Sequence, residues 1–208
     1  MSTTTNDLDN TGDERHTVAT YLSDMLALEQ HINAPIASQL NSKDHQQNPE
    51  AVRIIQTIKS VGENHIAALE AQLKAAGGSA GHPVKSAWSQ LLGGGAAALN
   101  QVRKTKISKS LRDDYTALGL AAISYTMLHA TAAGLGDAST AALAKRHLDD
   151  ITPIIVDISR TIPAVVLQEL AEDGENVAIS AAQLTEQVSS ESWSGQNVSG
   201  GATGSAAL

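Results

Sequence analysis

Four stretches of the chain, 12–40, 50–76, 108–135 and 139–160, repeat apolar residues every three to four positions, the period of a helix with one buried face. The gaps between them are unequal. "NSKDHQQNP" at 41–49 and "GLGDAST" before the fourth stretch are short polar turns, whereas 77–107 separates the middle two. Short turns join antiparallel neighbours, so the chain reads as two helical hairpins linked by one long crossover.

Composition agrees with a helical core. There is no Phe, and the aromatic residues are Trp88, Trp193, Tyr21, Tyr115 and Tyr125, so the apolar mass is Ala, Leu, Ile and Val without strand-like alternation. Two hairpins and a crossover give the expected fold: all-α, a ferritin-like four-helix bundle, with Pro163 opening a short fifth helix that ends near Asp173. Pro35 predicts a bend near residue 32, and Pro153 an interruption of the fourth helix. The crossover reads as two short helices around the triple glycine 93–95. With no strand before it and no Lys-Ser/Thr after it, that glycine run is a hinge rather than a phosphate cradle. The expected organisation is a disordered N-terminus 1–11, the bundle 12–173, and a flexible Ser/Gly/Ala-rich tail 174–208.

Several function classes fall away. Cysteine is absent, which removes disulfides and thiolate metal sites. A net charge of −8 argues against a nucleic-acid partner, and "RKTKISKSLR" at 103–112 reads as a solvated connection into the third helix. The uncharged run 115–136 is long enough to span a bilayer, but Ala, Gly, Ser and Thr dominate it, so no membrane partner is expected. No secretory leader is visible at the N-terminus, and a cytoplasmic location is expected.

Polar residues inside the apolar stripes carry what chemistry there is. Glu29 stands in register with Val18, Leu22, Met25, Ile32 and Ile36, and a carboxylate there needs a partner. His65 holds the equivalent place among Ile58, Val61, Leu69 and Leu73. Counting 1.5 Å per residue brings the two within about one turn of each other. On the fourth helix His147 and Asp150 lie at i, i+3, with Asp149 outward. Di-iron bundles supply a Glu from each of two helices and Glu-x-x-His from each of the others. Here "GENH" puts Gly62 where that Glu would stand, and no Asp or Glu occurs in 115–136, so the level of Ala121 has no carboxylate. Glu63 reaches the core only if a π-bulge at Gly62 turns it inward. His129, four after Tyr125, reads as a core or boundary histidine.

The stretches "LSDMLALEQHI", "GENHIAALEAQL", "SYTMLHATAAGLGD" and "LAKRHLDDI" resemble the ferritin-like YciE/YciF family of bacterial stress proteins over about residues 15–160. The resemblance implies a stress-related role and makes Glu29, His65 and Asp150 inherited metal-site positions. Gly62, Ala121 and the Asp149-Asp150 pair depart from its pattern. The leading expectation is therefore a degenerate di-metal site without ferroxidase activity, Glu29 and His65 forming a buried pair, no resident cofactor and no enzymatic activity. The alternative is a reduced site in which Glu29, His65, His147 and Asp150 hold one Fe, Mn or Zn ion and handle peroxide or dioxygen. A homodimer through an Ala/Leu-rich helix face is expected, with room for another protein partner.

Overall fold

The computed structural model describes residues 5–42, 47–78 and 106–194, with the side chains of 5–14 excepted. Six helices lie among them: α1 Thr5–Asn33, α2 Ile36–Leu40, α3 Pro49–Ala75, α4 Ile107–Gly134, α5 Ala138–Glu172 and α6 Ala181–Trp193. The protein is all-α over these residues.

Local signals set most of the boundaries. Pro35 separates α1 from α2, a break close to the expected bend. At the start of α3 the Asn48 side chain accepts from Ala51 N–H, and Pro49 occupies the first turn, where its missing N–H costs nothing. Asp137 caps α5 by accepting from Thr140 N–H at 2.9 Å and from the Thr140 hydroxyl at 2.7 Å. Gly136, just before it, takes φ +75°, which a side chain would resist, and so permits the sharp turn from α4.

Three expectations need correction. Pro163 opens no separate fifth helix, because α5 runs unbroken through Pro153 and Pro163 to Glu172. Each proline removes one backbone hydrogen bond, but Ile151, Ile154, Ile158 and Val165 keep a single buried stripe through both positions, and that packing outweighs the loss. Secondly, the stretch 174–208, expected to be flexible, contains helix α6, which packs against α5. Thirdly, α1 begins at Thr5, within the segment expected to be disordered. The crossover helices and the hinge at 93–95 lie outside the described residues.

Side-chain pairs give the helix directions. Along α3 and α5, Asn48 meets Gln168, Arg53 meets Asp157 and Gln72 meets Thr140, so the two run antiparallel. Glu29 with Tyr125 and Gln39 with Asp114 set α1–α2 antiparallel to α4 in the same way. The four long helices close a ring of contacts, α1 with α3, α3 with α5, α5 with α4 and α4 with α1. The end of α3 therefore lies beside the α4–α5 turn, while the start of α4 lies beside the end of α5, where Ser108 N–H donates to Glu169. The chain between them joins opposite ends of helices about 40 Å long.

The core runs the length of this ring. Val18, Leu22, Met25, Ile32 and Ile36 of the first stripe are all buried, as are Ile54, Ile55, Ile58, Leu69 and Leu73 from α3. Burying a large aliphatic side chain is worth about 1.5–3 kcal/mol, so the stripes rather than intrinsic helix propensity hold the helices together.

Candidate functional site

Midway along the core, the apolar layers give way to polar ones. Glu29 of α1 is 2% exposed, His65 of α3 is 2%, Tyr125 of α4 is 0% and His147 of α5 is 4%, so one polar side chain comes from each long helix. Each is in register with apolar residues above and below. The same stripe that builds the core delivers all four to one level.

Glu29 is the acceptor of the group. His65 Nδ1–H donates to Glu29 Oε1 at 2.9 Å, and the Tyr125 hydroxyl donates to the same oxygen at 2.7 Å. Because that proton is committed to Glu29, the Tyr125 oxygen accepts from His147 Nδ1–H at 2.9 Å, which fixes the His147 tautomer. His65 Nε2 faces Asp150 Oδ2 at 3.3 Å, and the Asp150 side chain is 56% exposed, so the chain of contacts reaches the surface there. The two imidazoles stack, with centroids 3.8 Å apart and planes 8° from parallel, and Tyr125 meets both edge-on.

Burial and the neighbouring charges fix the protonation of two members. Burial, the charge of His65 and that of Arg146 hold His147 down to about 3, so it is neutral at physiological pH. Burial first, and then the charge and hydrogen bond of Glu29, push Tyr125 above the ordinary tyrosine range and keep its proton in place.

The four residues read from the sequence as metal-site candidates, Glu29, His65, His147 and Asp150, are thus brought together, but as hydrogen-bond partners. A metal ion needs ring lone pairs that converge on one point. Two imidazoles stacked 3.8 Å apart hold their in-plane lone pairs in nearly parallel planes that do not meet at a shared point between them, and both Nδ1 atoms are engaged in the hydrogen bonds to Glu29 and Tyr125. Among the described residues, no three His, Asp or Glu side chains are grouped so as to hold a metal ion. The residues as arranged do not fit one.

The departures from the di-iron pattern have visible causes. Gly62 is buried, and a Cβ on it would lie 3.3 Å from Asn33 Oδ1, so Asn33 occupies the space that a glutamate side chain at this position would enter. Helix α3 shows no bulge there. Glu63 faces solvent and pairs with Lys59. Ala121 is fully buried, and Asp149 points outward to Lys145 at 2.5 Å. His129, expected at the core or its boundary, is exposed.

Among the buried polar residues that sequence reasoning missed, Tyr125 and Asp114 bear most on the site. Tyr125 stands four residues after Ala121 on the same face, and its one polar atom is hidden in an otherwise apolar ring. Asp114 is 5% exposed and lies toward the other end of α4, where Gln39 Nε2 donates to its Oδ1 at 2.9 Å and its Oδ2 has no partner among the described residues. Burial, opposed by the Gln39 bond and helped by the charge of Asp113, raises Asp114 to about 7. Its signal was the stripe itself, three residues after Leu111 and four before Leu118.

No protein-family model and no curated protein matches the chain. A crystal structure of a protein from Xanthomonas campestris pv. campestris is similar in fold, with a TM-score of 0.64 at 17% identity, covering 78% of this chain and 99% of that one. That likeness concerns the fold alone. No described helix is long and apolar enough to cross a membrane.

Proposed function

We propose that this protein is a ferritin-like four-helix bundle whose di-metal position has become a closed hydrogen-bond network, and that it acts through its surface rather than as a ferroxidase. The observation that carries the reading is the pair of donors on Glu29 Oε1, His65 Nδ1–H and Tyr125 O–H, which occupy that oxygen with protein groups instead of an ion. The antiparallel ring of helices and the connection between opposite ends support the ferritin-like topology. A stress-related role rests on the sequence resemblance to the YciE/YciF family; a cytoplasmic location and self-association into a dimer on an Ala- and Leu-rich helix face follow the reading of the sequence.

The network has a structural use. Buried polar groups that are fully paired fix helix register, because a shift of one residue would strand every member. The test is metal content by mass spectrometry after anaerobic loading with Fe, Mn and Zn in turn, on the wild type and on Glu29→Ala and His65→Ala. The expected result is no metal above background and no oxidation of ferrous ion. Near-stoichiometric metal that disappears in both variants would establish the reduced site instead.

A further inference from the structure

Away from the core network, α6 lies against α5 without fully burying a single side chain. Packed helices normally interdigitate, yet here a cleft of about 250 Å³ remains beneath the helix, between it and the α4–α5 face. Its walls are unusual for this chain. Only five residues in the whole sequence are aromatic, and two of them, Tyr115 from α4 and Trp193 from the end of α6, line this cleft. Trp193 is 75% exposed, a large apolar surface left in water.

Charges of both signs line the same space. Arg160 of α5 and Glu186 of α6 both face the cleft, and neither makes a hydrogen bond or ion pair with any described residue. They are not paired with each other either. Opposite charges that share a cavity and stay apart present a cationic and an anionic contact to whatever enters, with Ser189 supplying a hydroxyl and Ile155 an apolar floor.

We propose that this cleft binds a small aromatic zwitterion, of the class of ring-bearing α-amino acids. The ring lies between Tyr115 and Trp193, the carboxylate meets the Arg160 guanidinium, which suits a planar two-oxygen acceptor, and the ammonium meets Glu186. A mixed apolar and charged cleft that buries most of a small ligand is the ordinary form of such a site. The cleft is independent of the core network, so the two readings stand or fall separately.

The test is isothermal titration calorimetry of the full chain with L-phenylalanine, 3-phenylpropionate, which lacks the ammonium, and 2-phenylethylamine, which lacks the carboxylate. L-phenylalanine is expected to bind most tightly. Arg160→Gln should weaken L-phenylalanine and phenylpropionate by about tenfold while sparing phenylethylamine, and Glu186→Gln should weaken L-phenylalanine and phenylethylamine while sparing phenylpropionate. Trp193→Ala should weaken all three. These side chains are exposed, so circular dichroism should show unchanged helicity in each variant. No saturable heat with L-phenylalanine, equal affinity for the three probes, or variants that all stay within about twofold of the wild type would overturn the proposal.

Discussion

Glu29 and Asp114 are carboxyl groups in the same core, on helices that pack against each other, and they meet opposite fates. Glu29 receives two hydrogen bonds on one oxygen, from His65 and Tyr125, and is tied into a network that reaches the surface at Asp150. Asp114 receives one from the uncharged amide of Gln39 and has a second oxygen with no described partner. Burial is nearly equal for the two, so depth does not decide how a buried acid behaves. The donors around it do.

The largest expected effect breaks the satisfied side of this comparison. Glu29→Ala leaves the His65 Nδ1–H and the Tyr125 hydroxyl without their acceptor, and should cost about 3–5 kcal/mol in urea unfolding at pH 7. The next sharpens the other side. With its folded-state value raised to about 7 against 3.8 unfolded, Asp114 contributes stability that is fully present below pH 3.8 and is lost as pH rises through 7. Asp114→Asn, which keeps the neutral shape, should match the wild type near pH 4 and exceed it by about 2–4 kcal/mol at pH 8, read from unfolding curves across that range.

Tyr125→Phe removes one donor from Glu29 and the acceptor of His147 Nδ1–H together, and unfolding should register a loss of about 1–3 kcal/mol. At the solvent end, Asp150→Asn alters a half-exposed contact at 3.3 Å and should change stability by less than about 1 kcal/mol. His147 gives the opposite pH slope to Asp114. Its folded value is depressed to about 3 from 6.5, so its contribution is complete above pH 6.5 and is lost as pH falls toward 3. Asp114→Asn should therefore uncover an acid-side slope of about 1.4 kcal/mol per pH unit between pH 4 and 6 that Asp114 offsets in the wild type.

Glu29 and His65 were legible in the sequence because each interrupts a clean apolar stripe, and a charged or ionisable residue at such a place demands a partner. Tyr125 was hidden by its own chemistry: a tyrosine in an apolar stripe looks like any other core residue until its hydroxyl is placed. Asp114 was masked by its setting, since "RDD" just after a basic run looks like the solvated start of a helix. The reach of α5 through two prolines could not be read locally, because a proline's cost is local while the packing that overrides it comes from three other helices. Helix α6 escaped for a related reason. Its Ser- and Gln-rich sequence has little apolar surface, and its neighbour α5 is what gives it a place to lie.

The most direct measurement is a long-range proton–nitrogen NMR spectrum of the His65 and His147 side chains, recorded from pH 5 to 8 with and without added Zn or Mn. A closed hydrogen-bond network requires His147 to hold a single neutral tautomer protonated at Nδ1 over that whole range, indifferent to metal. A His147 that titrates near 6.5, or whose ring nitrogens shift when metal is added, would contradict it.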